Sequence, residues 1–547
     1  MASLKISLAQ INFTIGDFEG NTSKIADTLF TAKRAGIDLV VFSELAVCGY
    51  MPEDLLDFPW FIDKCEQSLE AVAESCQGIS AIVGGVMRQS GVGKQLQNVA
   101  CFMQNGRIEK VIAKTLLPTY DVFSEARYFQ AASSNEIIVV KDTKIGIAIC
   151  EDLWHHYNSF EYEKNPIEEL IEQGAELIIN PSASPYYVGK EELRNKVFQE
   201  QSLKYQVPIV HVNQLGMHTE LLFDGRSKVY DSNGTKIISL PAYEEANFSF
   251  QFENQQIKTD GKTWNDFPTE IADLYDTLIF GIRDYFKKMG FTKAVLGSSG
   301  GIDSALVQTL ASKALGAENV LAVLMPSKYS SEGSISDAIA LSENLGNSYH
   351  VLPITEVHQA YEQTLVSIFQ DTAVGLAEEN IQARSRAILL MAISNKFGNI
   401  LLNTSNKSEM AVGYSTLYGD LCGSLSVIGD VYKTKVYELC HYINQTTTII
   451  PQNIIEKEPS AELRPDQKDS DSLPEYAVLD SILRLYIEEQ RGLDEIIMEG
   501  YDPTMVQKII EMVNRNEYKR YQAPPIIKVS SKSFGRGRSM PLVAKYQ

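Results

Sequence analysis

The feature that most restricts the fold is a short apolar strand followed by a serine- and glycine-rich turn that opens a helix. The strand covers residues 294–296, and the turn reads Ser298-Ser299-Gly300-Gly301-Ile302-Asp303-Ser304. Adjacent glycines let backbone N–H groups approach an anion closely, and a helix N-terminus adds partial positive charge. The turn lacks the Gly-Lys-Ser/Thr ending of a Walker A loop. The pattern therefore predicts a phosphate-binding strand–turn–helix unit that is not an ordinary P-loop.

The second half of the chain alternates short apolar strands with helical patterns. Further strands are predicted at 320–324, 351–354 and 400–402, with helices between them. This alternation predicts a doubly wound, parallel α/β sheet whose ligand lies beyond the carboxyl ends of its strands. Two stretches, 405–430 and 456–472, break the pattern and are predicted to be mobile loops.

The first half has a different rhythm of many short strands with interspersed helices. Asn105-Gly106 and Asn233-Gly234 stand between extended runs, which is the strongest short hairpin signal. A polar segment without periodicity follows near residues 252–268. The 547 residues are therefore predicted to form one domain at 1–252, a linker at 253–268 and a second domain at 269–547.

Composition restricts the partners and the compartment. The formal net charge of −21 argues against nucleic acid or an anionic membrane as a general partner. No stretch approaches the roughly 20 apolar residues that a membrane span needs. The seven cysteines are scattered and form no C-x-x-C pair, which is typical of a reducing compartment. We therefore expect a cytoplasmic protein.

The turn carries its own chemical requirement. Asp303 beside a phosphate site needs Mg²⁺ to bridge the like charges. The string Ser-Gly-Gly-x-Asp-Ser resembles the signature of the ATP pyrophosphatases, enzymes that cleave ATP to AMP and pyrophosphate through an adenylated substrate. That resemblance implies ATP as a substrate, bound by Gly297, Ser298, Ser299, Gly300, Gly301, Ile302, Asp303 and Ser304. The string alone leaves open the synthesis of NAD, GMP, asparagine or argininosuccinate.

Further segments of the second half resemble the NAD⁺ synthetases: Glu379-Asn380-Ile381-Gln382-Ala383-Arg384, Asn403-Thr404-Ser405-Asn406-Lys407-Ser408-Glu409, Gly413-Tyr414-Ser415-Thr416-Leu417-Tyr418-Gly419-Asp420, Pro459-Ser460-Ala461-Glu462-Leu463-Arg464-Pro465 and Glu517-Tyr518-Lys519-Arg520. The resemblance implies that Thr404 contacts ATP, that Glu409 joins Asp303 in holding Mg²⁺, and that deamido-NAD is bound by Asn380, Arg384, Glu409 and Lys519. It also implies at least a homodimer formed through this domain. Leu421-Cys422-Gly423-Ser424 departs from the family, whose members usually carry more glycine there.

In the first half, three residues of complementary chemistry stand where strands end: Glu44, Lys114 and Cys150. Amide hydrolysis needs a nucleophile, a base and a cation or N–H group for the oxyanion, and these three supply those roles without histidine. Each alone has an ordinary structural interpretation, because a cysteine that ends an apolar strand is more often core and a charged strand end is usually solvated.

The surrounding strings resemble the nitrilase superfamily: Phe42-Ser43-Glu44, Lys114-Thr115-Leu116-Leu117-Pro118 and Ile149-Cys150-Glu151-Asp152-Leu153-Trp154. This resemblance implies a four-layer α-β-β-α sandwich with Glu44 as base, Lys114 as oxyanion support and Cys150 as nucleophile. Glu125 would be an auxiliary carboxylate beside the lysine. Tyr120, Ser184 and Lys190 match the glutamine-binding positions of the glutaminase branch.

Together, in this order, the two halves resemble the glutamine-dependent NAD⁺ synthetases. The resemblance implies glutamine hydrolysis in the first half and ATP-dependent amidation of deamido-NAD⁺ in the second. Because ammonia released into bulk water would be protonated and diluted, we also expect an enclosed passage between the two sites. Another amide-forming synthetase with a fused glutaminase is the alternative enzyme. GMP and asparagine synthetases use other glutaminase folds, which disfavours them. A regulatory or scaffold protein with decayed sites is the alternative of another class.

Overall fold

The structure is a computed structural model that describes residues 3–155, 157, 162–259, 268–465 and 467–545. The chain divides into two units, Met1–Phe267 and Pro268–Gln547, which we call the N-terminal and C-terminal units. Within the described residues, no helix has both the length and the apolar character needed to cross a membrane.

The N-terminal unit contains fifteen described strands and five α-helices. The strands are β1 Leu4–Gln10, β2 Leu39–Val41, β3 Ser80–Arg88, β4 Leu96–Gln104, β5 Arg107–Ala113, β6 Ile137–Val140, β7 Thr143–Ile147, β8 Leu177–Ser182, β9 Ile209–Asn213, β10 Leu215–His218, β11 Leu221–Asp224, β12 Lys228–Tyr230, β13 Lys236–Ser239, β14 Ala246–Glu253 and β15 Gln256–Lys258. The helices are α1 Phe18–Arg34, α2 Pro59–Ser75, α3 Glu125–Tyr128, α4 Pro166–Glu172 and α5 Lys190–Tyr205.

These elements form the four-layer sandwich that the resemblance implied. One sheet has the strand order β15-β14-β1-β2-β3-β4-β5, and the other has the order β13-β12-β9-β8-β7-β6. Apolar side chains such as Leu8, Val41 and Ile147 fill the space between the sheets. Helices α1 and α2 cover the outer face of the first sheet, and α4 and α5 cover that of the second. The predicted α-β-β-α architecture is confirmed.

The hairpin predicted at Asn105-Gly106 is present in the structure. Asn105 and Gly106 join β4 to β5 with φ of 55° and 80°, the left-handed values that a two-residue hairpin turn requires. Strand β15, in contrast, lies inside residues 253–268, which were predicted to be the linker. It forms because the chain turns back after Glu253, so that residues 256–258 pair with residues 251–253 of β14. The rest of that linker, residues 260–267, lies outside the described residues.

The C-terminal unit has five described strands and twelve α-helices. The strands are β16 Ala294–Gly297, β17 Val320–Leu324, β18 Ser348–Val351, β19 Ile400–Asn403 and β20 Leu425–Ser426. The helices are α6 Glu270–Met289, α7 Ile302–Leu315, α8 Glu332–Leu345, α9 Thr355–Leu365, α10 Leu376–Phe397, α11 Lys407–Val412, α12 Lys433–Ile443, α13 Gln452–Glu456, α14 Tyr476–Leu483, α15 Leu493–Met498, α16 Pro503–Arg515 and α17 Glu517–Arg520.

The five strands form one parallel sheet in the order β18-β17-β16-β19-β20. The order reverses between β16 and β19, so the predicted doubly wound sheet is confirmed and its switch point lies at the carboxyl end of β16. Helix α10 covers one face through Leu390, which packs with Val295 and Leu401.

Two details of the sequence-based prediction are wrong. Strand β18 ends at Val351, where 351–354 was predicted, because its register on β17 is set by pairs from Ser348 to Val351 and Pro353 has no N–H to extend the ladder. Residues 405–430 are not wholly a loop, since they contain α11 and β20. Helix α11 forms because Asn406 caps it and Met410 packs in the core.

Candidate active sites

The three strand-end residues of the N-terminal unit come together in one buried pocket. Glu44 lies just beyond β2, Lys114 directly follows β5, and Cys150 opens a 3₁₀ turn just beyond β7. The Lys114 ammonium lies 2.7 Å from Glu44 Oε1 and 2.8 Å from Glu125 Oε1, and none of these three side chains is exposed to solvent. The sequence-based grouping of Glu125 with the lysine thus matches the geometry.

Both carboxylates are held by further donors. The Asn98 amide donates to Glu44 Oε1 over 2.7 Å, the Ala183 N–H donates to Glu44 Oε2 over 3.0 Å, and the Tyr50 hydroxyl donates to Glu125 Oε1 over 2.8 Å. Because each carboxylate accepts at least two hydrogen bonds, the orientation of both is fixed before any substrate arrives.

Electrostatics link Cys150 to the same pocket. Burial raises the pKa of the Cys150 thiol well above its ordinary value, the Glu44 carboxylate raises it further, and the Lys114 ammonium opposes both. Burial also raises the pKa of Glu125 to about 7. For Lys114, burial acts to lower the pKa, but Glu125 and Glu44 outweigh it and the pKa is raised. The pocket therefore holds a neutral thiol beside a charged lysine.

The backbone at Cys150 is strained. Its φ of 44° lies in the left-handed region, which non-glycine residues rarely adopt. The Asn180 amide donates to the carbonyls of Ala148 (2.6 Å) and Cys150 (3.3 Å), so β8 helps to hold this turn. Such an outlier at a reactive side chain is typical of functional sites.

The predicted glutamine-binding residues come from three separate segments of the N-terminal unit. Tyr120 donates its hydroxyl to Glu151 over 3.0 Å. Ser184 is buried, and its N–H donates to Asn213 Oδ1 over 2.8 Å. Lys190, at the start of α5, places its ammonium 4.0 Å from the centre of the Trp154 ring.

One carboxylate at this site was missed by the sequence reasoning. Glu151 is 4% exposed and accepts hydrogen bonds from the hydroxyls of both Tyr120 and Tyr162. A buried carboxylate directly beside the candidate nucleophile is suited to contact a cationic group of a ligand. The signal that could have found it was its place directly after Cys150.

In the C-terminal unit, the predicted phosphate-binding turn joins β16 to α7. Gly300 has a φ of 76°, and a Cβ placed there would lie 2.2 Å from the Ser334 carbonyl oxygen. The Ser304 hydroxyl accepts from the Ser299 N–H over 3.2 Å and donates to the Gly301 carbonyl over 3.0 Å. Only glycine at position 300 permits this close approach of the turn to α8.

A cavity of about 300 Å³ opens at the carboxyl ends of the strands, where the topology places a ligand. From the predicted ATP and metal residues its lining includes Gly297, Ser298, Ser299, Gly301, Ile302, Asp303, Ser304, Thr404 and Glu409. The lining also carries three cations that were not predicted: Arg386, Lys433 and Lys457. Acidic side chains also line the cavity, so its charge is mixed, and the three cations are the groups that can face an anionic ligand.

Asp303 and Glu409 converge on one cation, the Lys433 ammonium, which forms an ion pair with Asp303 and lies 3.2 Å from Glu409 Oε1. The Asn406 amide orients Asp303 over 2.8 Å. Burial raises the pKa of Glu409 to about 8, with Lys433 opposing and Asp303 adding to the effect. Among the described residues, no group of three or more His, Cys, Asp or Glu side chains is arranged to hold a metal ion.

The remaining predicted residues meet at residues 413–417. Asn380 Oδ1 accepts from the Thr416 hydroxyl over 2.8 Å, and Arg384 donates to the Leu417 carbonyl over 3.2 Å. Lys519 donates to the carbonyls of Gly413 and Ser415 over 2.7 and 2.8 Å. None of Asn380, Arg384 and Lys519 is among the described residues that line the cavity; they hold the segment 413–417, which contributes Tyr414 to the lining.

Comparison with known proteins assigns a family to each unit. Residues 5–249 match the carbon-nitrogen hydrolase family model, and residues 274–523 match the NAD synthase family model. Each match falls within one structural unit.

Full-length relatives carry both parts in the same order. The glutamine-dependent NAD(+) synthetase of Synechocystis sp. is 45% identical over 552 residues, which cover 99% of both chains. That of Thermotoga maritima is 40% identical over 587 residues and the whole of both chains. The solved structure of glutamine-dependent NAD⁺ synthetase from Acinetobacter baumannii in complex with ADP is 37% identical, covers 99% of both chains and gives a TM-score of 0.79. This chain belongs to the glutamine-dependent NAD⁺ synthetase family.

Proposed function

We propose that this protein converts deamido-NAD⁺ to NAD⁺, using ammonia released from L-glutamine and cleaving ATP to AMP and diphosphate. The observation that carries the proposal is the buried Glu44–Lys114–Cys150 group on the same chain as the Gly300 turn and the cavity beside it. Relatives of this length bear the corresponding name.

The test is diphosphate release from the purified chain on addition of deamido-NAD⁺, ATP and glutamine. NAD⁺, AMP, diphosphate and glutamate should form in equal amounts. Diphosphate release that needs a different carboxylate substrate would indicate another amide-forming synthetase. The absence of both glutamate and diphosphate would indicate a protein with decayed sites.

In the glutaminase reaction, Glu44 accepts the proton of the Cys150 thiol as sulfur attacks the carboxamide carbon. The tetrahedral oxyanion is stabilised by the Lys114 ammonium, which is charged because two carboxylates flank it. Glu44 then gives the proton to the departing nitrogen, so ammonia leaves and a thioester remains. Water, deprotonated by Glu44, attacks the thioester, and collapse of the second tetrahedral intermediate yields glutamate and restores the thiol.

Glutamine recognition follows from the groups around the sulfur. Glu151, held by Tyr120 and Tyr162, offers a buried carboxylate to the α-ammonium group. Lys190 offers a cation to the α-carboxylate, and Ser184 lies on a backbone segment fixed by Asn213. Opposite charges at both ends of a zwitterionic amino acid would select glutamine over simple amides.

In the synthetase reaction, Gly297, Ser299, Gly301 and Ser304 hold the ATP phosphates at the α7 N-terminus, and Thr404 contacts ATP from the end of β19. The carboxylate of the nicotinic acid group attacks the α-phosphorus, and diphosphate leaves. Ammonia then attacks the acyl-adenylate, and AMP leaves.

The Asp303 and Glu409 carboxylates fit Mg²⁺, because both already converge on one cationic centre and carboxylate oxygen is the ligand that Mg²⁺ prefers. When bound, Mg²⁺ would neutralise phosphate charge during adenylation. Lys433 lies at the same point and would offer its ammonium to the phosphates.

Deamido-NAD⁺ binding is proposed for Asn380, Arg384, Glu409 and Lys519. Three of them orient the segment 413–417 through its backbone and Thr416, so their contribution includes shaping that segment. Burial lowers the pKa of Lys519.

A homodimer through the C-terminal unit is proposed because α10, which carries Asn380 and Arg384, exposes large apolar side chains. Leu376, Ile388 and Phe397 are 71%, 55% and 67% exposed. Large apolar side chains that a monomer leaves exposed can be covered by a partner, and the family resemblance places that partner on this unit. Light scattering on dilution, read together with activity, tests this: full activity in a monomer would contradict it.

We propose that the protein is located in the cytoplasm. All seven cysteines are free thiols in the structure, which suits a reducing compartment. We propose no nucleic-acid or membrane partner.

A further inference from the structure

Asp152 links the two strand ends that carry Lys114 and Cys150. One of its carboxylate oxygens, Oδ1, accepts from the N–H groups of Thr115 over 3.1 Å and Leu116 over 2.7 Å. The other oxygen, Oδ2, accepts from the Ile149 N–H over 2.9 Å. One side chain thus joins the residues directly after Lys114 to the residue directly before Cys150.

Apart from the core between the sheets, no strand pairing holds the two ends together. Lys114 follows a strand of one sheet and Cys150 follows a strand of the other, so no strand ladder joins them. The Cys150 turn is strained at a φ of 44°, and a strained turn relaxes unless its surroundings hold it. Asn180 holds the turn on the β8 side, and Asp152 holds it on the Lys114 side.

The burial of Asp152 makes these hydrogen bonds costly to lose. Asp152 is 1% exposed, so water cannot replace a missing acceptor, and loss of the carboxylate would leave buried N–H groups unpaired. A buried carboxylate needs such donors to be tolerated, and three N–H groups provide them. The arrangement therefore has one low-energy geometry.

We infer that Asp152 is a positioning residue that fixes the distance between the Lys114 ammonium and the Cys150 sulfur. The inference rests on the proposed glutaminase role of those two residues. It predicts that Asp152 governs the rate of the chemical step more than the binding of glutamine, because a displacement of about 1 Å at a reacting centre can reduce the rate roughly 100-fold.

The test uses Asp152→Asn and Asp152→Glu in the full-length enzyme. The asparagine variant keeps the shape but turns one acceptor into a donor that faces an N–H group. The glutamate variant keeps both acceptors but lengthens the side chain by one methylene. In each, we expect kcat for glutamine hydrolysis to fall about 10- to 100-fold while KM for glutamine changes less than about threefold.

The second readout is the pH profile of Cys150 alkylation by iodoacetamide. Burial is the largest cause of the raised thiol pKa, Glu44, Glu151 and Glu125 add to it, and Lys114 lowers it. If the lysine moves away, the profile should shift to higher pH and alkylation at a given pH should slow. A variant that had merely loosened the pocket would instead expose the thiol and speed alkylation at every pH.

Asp231→Asn is the matched control. Asp231 also accepts backbone N–H groups, from Asn233 over 2.9 Å and Thr235 over 2.8 Å, but in the turn between β12 and β13. It should leave kcat and the alkylation profile unchanged. Ammonia-dependent NAD⁺ synthesis should persist in all variants, which shows that the enzyme is otherwise intact.

Three results would overturn the inference. The first is a kcat within threefold of the parent in both Asp152 variants. The second is a loss of rate with no shift of the alkylation profile. The third is a failure of both variants to fold, which would make Asp152 a folding residue. If Cys150→Ala itself kept glutaminase activity, the proposed function would fail instead, independently of these results.

Discussion

At the scale of single residues, substitution of Cys150 should separate glutamine-dependent NAD⁺ synthesis from ammonia-dependent NAD⁺ synthesis. Cys150→Ala removes the nucleophile, so NAD⁺ synthesis with glutamine should fall about 10⁴-fold, while synthesis with ammonium chloride should persist because the C-terminal unit is unchanged. NAD⁺ formation with each nitrogen source is the measurement. Loss of both activities would mean that the cysteine is structural.

The protonation state of Cys150 gives a second prediction. Burial raises the pKa of this thiol well above its ordinary value, with Glu44 adding to the effect. The reactive thiolate is therefore a small fraction at neutral pH, and its share should grow about tenfold per pH unit until the pKa is reached. Alkylation of Cys150 by iodoacetamide, followed by peptide mass mapping, should accelerate continuously from pH 6 to pH 9.

The mapping is needed because Cys422 is partly exposed whereas Cys150 is buried, and Cys150→Ser provides the background rate. A rate that levels off near pH 7 would show that the thiolate is already formed in the free enzyme. The assigned role of Glu44 as the base that acts during attack would then be wrong.

Asp303 provides the residue-scale test of the second site. Asp303→Asn removes one carboxylate charge beside Lys433 and Glu409, so ammonia-dependent diphosphate release should fall roughly 100-fold and need more Mg²⁺ for half-maximal rate. Glutamine hydrolysis should survive. Asp337→Asn on α8, outside the cavity lining, is the control. An unchanged Mg²⁺ dependence would contradict the metal assignment.

At the scale of elements, the turn between β16 and α7 depends on one glycine. Gly300→Ala combines a φ of 76° with a Cβ 2.2 Å from the Ser334 carbonyl, so either the turn or α8 must move. We expect the affinity for ATP, measured by calorimetry, to weaken at least about tenfold, because the backbone N–H groups of the turn would no longer point at the same phosphate.

Gly290→Ala is the matched control for that change. Gly290 ends α6 with a similar φ of 73°, but nothing lies within 4 Å of the added Cβ. It should destabilise the C-terminal unit by about 1 kcal/mol and leave ATP binding unchanged. Equal weakening of ATP binding in both variants would mean that backbone strain alone, and not the approach of the turn to α8, is responsible.

At the scale of the whole molecule, the prediction concerns the ammonia that joins the two reactions. Free ammonia at neutral pH is mostly ammonium, which has no lone pair for attack on an acyl-adenylate. An enclosed passage would keep it neutral and undiluted. With ¹⁵N-amide glutamine and excess unlabelled ammonium, most of the NAD⁺ formed should carry ¹⁵N by mass spectrometry. Label diluted to the bulk ratio would show that ammonia escapes.

The sequence by itself determined the features that depend on neighbouring residues. The Gly300 turn, the Asn105-Gly106 hairpin and the strand that leads to Cys150 follow from local backbone preferences, so their residues could be named in advance. The parallel sheet of the C-terminal unit followed from the alternation of strands and helices. The family motifs supplied the grouping of Glu44 with Lys114.

Only the tertiary structure decided which distant groups meet. Lys433 lies between Asp303 and Glu409 although 130 positions separate it from Asp303, and Asp152 reaches the N–H of Leu116 across 36 positions. Strand β18 ends earlier than its apolar run because pairing with β17 sets its register. Such contacts depend on how sheets and helices pack, and packing is a property of the whole chain rather than of any short stretch of it.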